Sequence, residues 1–491
     1  MFLWQGYAHR MLPGVSVVLG SSQGVVVMSD VAVVPESGLL DWALKRVTVL
    51  WRDMASSVTG PGTDTSWEGR MRACLEARGG EISARNRAAG LAQSYLVAPE
   101  TERLAFFQAL AGFDSDFGAV EAAMGKVSAA TDPAERGAAK AALRAALEPP
   151  RSRLLTQFTT IPDGVKFLVD MRADLLRLMG KDPMMRALDS DLRGLLASWF
   201  DLGFLELRRI DWSSPAALLE KLVGYEAVHK IRTWRDLKNR LDSDRRCYAF
   251  FHPRMPEEPL IFVEVALVQG LSGSVQKLLD EKAPVLDPRT ADTAIFYSIN
   301  NCQRGLDGIS FGNSLIKRVV TLLSEELRGL KTFSTLSPMP GFRRWLDEQK
   351  DEPGLLTEDE GKVLAEAAGV DSGAAAIALL LAARRPLSLP WIGKAEPVLA
   401  RLAARYLVVE TGRGGRRARD PVGHFHLSNG ARVERVNWRG DTSEKGLKES
   451  LGFMVNYLYD PAKIEDYHEA YVGEGSRAAT TAIRKLGRGG R

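Results

Sequence analysis

Three cysteines in 491 residues, at 74, 247 and 302, are too few and too scattered for a disulfide framework. No CxxC pair and no Cys/His cluster suggests a metal. The expectation is free thiols in a reducing, cytoplasmic compartment. No apolar run reaches the roughly 18 residues that a membrane-spanning helix needs. Histidine is scarce too, six in all, so a catalytic imidazole has few candidates. The formal charge is only +4. That leaves nucleic acid without an electrostatic footprint but suits a small anionic ligand.

What is present is an ordinary globular composition, 45% hydrophobic and 26% charged, in a chain too long for one core. Residues 1–29 contain no Asp or Glu and read as a poorly structured extension, with Met28 as an alternative start. Residues 30–198 carry helical patterning. Leu40, Leu44, Val47, Trp51 and Met54 share one face of a first helix. Thr101–Gly112, an Ala-rich helix capped by Asp132-Pro133, Val165–Met179 and Met184–Phe200 follow. No β-rich run interrupts them, which implies an all-α bundle serving structure and self-association.

From residue 199 to 491 the texture changes. Strand-like runs occur at 247–252, 260–268, 293–299, 332–337, 431–438 and 453–459, rich in Val, Ile, Phe and Tyr. Helical patterns at Ser314–Arg328 and Thr357–Ala368 lie between them, so a mixed α/β or α+β sheet domain is expected. Gly412–Asp420 reads as a basic loop and the tail IRKLGRGGR as frayed.

Three segments carry candidate chemistry. In AIFYSINNCQRGLDGISFGNSLIKRVV, an apolar strand runs into glycines at 305, 308 and 312 and then an amphipathic helix. Glycine lets backbone N–H groups approach an anion, and a helix N-terminus adds partial positive charge, so this can seat a phosphate or remain an ordinary turn. The spacing is not that of a P-loop or of a dinucleotide fingerprint. In KTFSTLSPMPGF, Pro338 and Pro340 stop a strand at Ser337 and fix its hydroxyl at the sheet edge, unless the serine merely ends the strand. Glycines do not flank Ser337 as they flank an α/β-hydrolase nucleophile. In PVGHFHLSNG, His424 and His426 at i and i+2 would share one face of an extended segment before an Asn429-Gly430 turn. Each is a catalytic candidate or a hydrogen-bonded structural histidine.

In combination these segments, with RRCYAFFHPRMPEEPLIFVEVAL and GLKESLGFMVNYLYD, resemble the malonyl-CoA decarboxylase family from about Trp199 to Tyr459. The resemblance implies an α+β protein with an N-terminal helical bundle, expected to form dimers or tetramers, followed by an acetyltransferase-like (GNAT-like) catalytic domain. It implies conversion of malonyl-CoA to acetyl-CoA and CO2 without metal or cofactor. Matched residue by residue, Ser337 and His426 fall on the family's catalytic serine and histidine. Asp307, Gly308, Ile309, Ser310, Phe311, Gly312 and Asn313 fall on a segment that contacts the CoA thioester arm, and Ser298 and Tyr459 near the site. Relatives can carry a carboxylate where this chain has Ser310. A GNAT-type acyltransferase with an amine acceptor, or a CoA-binding scaffold without catalysis, would use the same fold.

Overall fold

The computed structural model describes residues 51–54, 64–76, 80–309, 315–412 and 414–489. The expected extension 1–29, most of the first expected helix, and Ser310, Phe311, Gly312 and Asn313 lie outside the described residues. Through Trp199 the described elements are helices only. Asp132 and Asp182 cap Pro133–Leu147 and Pro183–Trp199 by accepting hydrogen bonds from backbone N–H groups of their first turns, with proline at the first helical position of each. The bundle core is aromatic: Tyr95, Phe106, Phe107, Phe158 and Phe167 pack largely edge to face.

The second half is built on an eight-stranded mixed sheet. Its strands are β1 (Glu206–Ile210), β2 (Arg245–His252), β3 (Met255–Val268), β4 (Thr293–Asn301), β5 (Thr332–Thr335), β6 (Ser337–Pro338), β7 (Arg432–Asn437) and β8 (Met454–Leu458). The order is β1-β2-β3-β4-β5-β8-β6, with β7 on β8. Every pairing is antiparallel except β4 with β5, which the amphipathic helix Leu315–Glu326 connects as a crossover. β5 pairs with β4 only as far as Phe296–Thr335. Beyond that point β4 is paired with β3 on one side only, while the chain turns through Ser337 onto β8. The two strands part there and leave a cleft between them.

All six strand-like runs lie on strands. β1 escapes the sequence pattern because it is a charged edge strand in which only Ile210 is buried. Two expectations are corrected. The segment around His426 is not extended: Asp420 accepts from the Gly423 N–H and Pro421 occupies the first position, so Pro421–Ser428 is a helix. The tail, expected to fray, forms Thr481–Arg488 and buries Ile483 against Ile392–Val408. The basic loop is closed by a bridge between Thr411 and Ala418, and the Ala418 N–H donates to the Tyr471 hydroxyl. Among the described residues no single helix is long and apolar enough to cross a membrane.

A buried arginine is among the contacts that tie the halves together. The helix Gly164–Leu178 carries the buried Arg172, whose Nη1 donates to the carbonyls of Gly305 (2.7 Å) and Asp307 (2.9 Å). Its Nε pairs with Asp189 at 2.8 Å. The glycine turn of the sheet domain therefore rests on the helical half.

Candidate active site

Ser337 reaches the cleft because β5 parts from β4 after Thr335 and the chain crosses onto β8, where Ser337 and Pro338 pair with Val455 and Met454 before Pro340 ends the strand. His426 reaches it from the opposite wall, on the helix Pro421–Ser428. That helix stops at Asn429, and Gly430 turns the chain back with φ +80°. A Cβ at Gly430 would stand 2.0 Å from the Ile464 carbonyl oxygen, so only glycine lets the helix end there.

The two side chains meet: Ser337 Oγ lies 2.9 Å from His426 Nε2. Tyr459 Oη lies 2.8 Å from His426 Nδ1, and the Ser337 hydroxyl also reaches Thr335 Oγ1 at 2.8 Å. Tyr459 is fully buried, and Nδ1 is the partner its hydroxyl finds. Each ring nitrogen thus has a hydroxyl partner, and the direction of the Tyr459 bond sets which nitrogen carries the proton of the neutral ring. The Tyr457 ring stacks on the imidazole with centroids 4.6 Å apart. Tyr457, on β8, and Tyr459, one residue past its end, are two apart and both reach the imidazole, so the NYLY segment held this signal.

Ser298, on β4, lines the same cleft of about 250 Å³ as Ser337 and His426, together with Phe296, Pro421 and Phe425. Electrostatically the site is quiet. Burial alone pushes the His426 pKa down to about 3, so at neutral pH the imidazole carries no charge. Burial also pushes Asp420, at the start of the histidine's helix, up to about 6. Among the described residues no group of His, Cys, Asp and Glu could hold a metal ion.

Of the other expected residues, Asp307 and Gly308 are exposed in the turn beyond β4 and Ile309 is half-buried. These three do not line the cleft. The turn also spells Gly308-Ile309-Ser310-Phe311-Gly312, the glycine spacing of a nucleophile elbow, but Ser310 lies outside the described residues. His424, paired by spacing with His426, points elsewhere, with Nδ1 at 2.8 Å from Tyr471 Oη. Residues two apart on a helix do not share a face. Sequence reasoning missed Thr335, Tyr457 and Glu226. The last accepts a hydrogen bond from Ser298 across 72 positions of chain, and no local pattern announces it.

Comparison with known proteins agrees across both halves. A family model described as the malonyl-CoA decarboxylase C-terminal domain matches residues 203–490, and one described as the N-terminal domain matches residues 113–200. The mitochondrial malonyl-CoA decarboxylase of Anser anser anser is 40% identical over 339 residues, covering 66% of this chain and 67% of the relative. That of Rattus norvegicus is 38% identical over 357 residues, covering 70% and 72%. A crystal structure of malonyl-CoA decarboxylase from Rhodopseudomonas palustris superposes with a TM-score of 0.77 at 41% identity, covering 85% of this chain and 98% of that one. One from Agrobacterium vitis gives 0.78 at 40% identity, covering 86% and 100%.

Proposed function

The chain belongs to the malonyl-CoA decarboxylase family, and we propose that the cleft between β4 and the helix Pro421–Ser428 is where it turns malonyl-CoA into acetyl-CoA and CO2. The observation that carries this reading is the 2.9 Å contact between Ser337 and His426 inside that cleft.

The chemistry needs a seat for the thioester arm, charge stabilisation at the thioester oxygen and a proton for C2. The free edge of β4 past Phe296 offers strand-like backbone groups to the amides of the pantetheine arm. Without a counter-charge His426 stays neutral. The malonyl carboxylate supplies that charge, so the bound state holds a carboxylate against an imidazolium. When the C–C bond breaks, its electron pair passes onto C2 and the thioester oxygen, and CO2 leaves. The imidazolium then gives its proton to C2, and neutral histidine and acetyl-CoA remain. Ser337 Oγ, held between His426 and Thr335, orients the carboxylate and relays the proton. No covalent acyl-enzyme is needed.

Parallel β4 and β5 splaying apart, within a sheet otherwise antiparallel, supports the GNAT-like description of this domain. The turn Asp307–Asn313 is part of the reading as the contact for the CoA arm, supported by its clamp on Arg172. A Cβ at Gly305 would come 1.7 Å from the Val169 carbonyl oxygen. Gly305→Ala should therefore lift the turn off the helical half, cost about 1–3 kcal/mol of stability, and raise KM for malonyl-CoA more than it lowers kcat. Thermal unfolding and steady-state kinetics check both. Exposed Val97, Phe117, Met124 and Leu147 support self-association through the helical half, and the change from helices to strands after Trp199 supports a boundary near there. Three buried free thiols fit a cytoplasmic setting, although the vertebrate relatives are described as mitochondrial.

The deciding experiment is incubation with malonyl-CoA alone, followed by mass spectrometry. Acetyl-CoA and CO2 in equal amounts are expected. Turnover only when an amine acceptor is added would make the chain an acyltransferase, and tight binding with no CO2 release a sensor.

A further inference from the structure

Glu226 is a buried carboxylate that plays no part in the scheme above, and it stands directly behind one wall of the cleft. It follows the helix Ala216–Tyr225, where the chain crosses under β4. Its Oε1 accepts the backbone N–H groups of Val228 (2.8 Å) and His229 (2.7 Å). Its Oε2 accepts from Asn300 Nδ2 at 2.8 Å, and the Ser298 hydroxyl stands 2.8 Å from the same oxygen. Asn300 Nδ2 also donates to Ser298 Oγ at 2.8 Å.

With Glu226 ionised, the geometry fixes the direction of these bonds. The Ala227 N–H donates to Asn300 Oδ1 at 2.9 Å, so the Asn300 amide cannot be turned over and its nitrogen must face Glu226 and Ser298. A serine hydroxyl has one proton and two lone pairs. The proton goes to the carboxylate, and one lone pair takes the Asn300 N–H. Ser298, which lines the cleft, can offer the cleft only its second lone pair. It is an acceptor there, not a donor.

Around the reacting end of malonyl-CoA, the carboxylate and the thioester oxygen are themselves acceptors. The first group along the arm that can donate is the amide N–H of the cysteamine unit. We propose that Glu226 is a positioning residue: by holding the Ser298 proton it makes Ser298 the acceptor for that N–H, which sets how far the thioester reaches toward Ser337 and His426. Asn300 and the Ala227–His229 turn hold the arrangement in place. The inference rests on the cleft being the thioester seat.

The test compares binding of acetyl-CoA, which the enzyme does not consume, with an analogue whose cysteamine amide is replaced by an ester. The unsubstituted enzyme should bind the amide about tenfold more tightly. In Glu226→Gln the new amide nitrogen takes the place of Oε2 and donates to Ser298; the serine is left only the longer 3.0 Å contact with Oε1, which two backbone N–H groups already occupy, so its proton turns into the cleft. The preference should then fall below about threefold. KM for malonyl-CoA should rise more than kcat falls, a split that general loosening of the fold would not produce. Ser298→Ala should also abolish the preference, and it alone decides the matter if Glu226→Gln does not fold. A tenfold preference that survives in the folded Glu226→Gln protein, or in Ser298→Ala, overturns the proposal. Binding is read without turnover, so a normal preference in a protein that releases no CO2 would sink the decarboxylase assignment and leave this inference standing.

Discussion

Replacing His426 by asparagine is expected to lower kcat for malonyl-CoA by roughly 10²- to 10⁴-fold, the usual worth of a positioned proton donor. Asparagine is smaller than histidine and its amide reaches about as far as Nδ1, so Tyr459 keeps a hydrogen-bonding partner while Ser337 loses the one at Nε2. What disappears is a group able to take up a proton beside the malonyl carboxylate and return it to C2. Ser337→Ala should cost roughly 10²-fold or more in kcat by removing the hydroxyl between imidazole and substrate. In both variants the Kd for CoA should move less than about threefold, because neither side chain belongs to the arm-binding edge of β4. Steady-state assays with malonyl-CoA and calorimetry with CoA separate the two effects. Near-normal turnover in either variant would remove that residue from the mechanism.

The second large effect is on stability. The folded chain holds His426 neutral, its pKa lowered by burial from 6.5 to about 3. Above pH 6.5 the imidazole is neutral folded or unfolded and contributes no pH dependence. Between pH 6.5 and about 3 the unfolded chain binds a proton that the folded chain refuses. Stability therefore falls with falling pH by about 1.4 kcal/mol per unit, or roughly 3 kcal/mol from pH 6.5 to 4.5. His229, lowered to about 4 by burial, adds the same sign of dependence, and buried Glu264, raised to about 8, adds the opposite one. Both are present in His426→Asn as well, so the difference between the two proteins' denaturant-unfolding free energies isolates the imidazole. Parallel curves over that range would show that His426 is not held neutral by the fold.

The link between these predictions is desolvation. In the proposed scheme, the burial that makes His426 expensive to protonate without a partner lets the substrate's own carboxylate decide when it becomes an acid. Tyr459 on Nδ1 and Ser337 on Nε2 hold the ring in place without adding charge. Glu226 works behind the opposite wall, where a buried carboxylate fixes the polarity of a neutral serine.

What the sequence determined by itself was local. Apolar runs of strand length marked six stretches of the sheet, and the Asp132-Pro133 cap announced one bundle helix. Pro338 and Pro340 marked the end of a strand near Ser337, although Pro338 itself still pairs with Met454. Even the Tyr457/Tyr459 alternation was there to be read. Local periodicity shows which face of an element is buried but not what lies across from it, and charged β1 lacked even that signal. The tertiary structure alone decided the rest: that β4 and β5 part to open a cleft, and that a capped helix rather than an extended strand carries His426 to it. It also decided that Arg172 of the helical half clamps the glycine turn, and that Glu226 comes up behind Ser298. Each of these depends on groups dozens of residues apart finding the same few ångströms, a choice made by the packing of the whole chain.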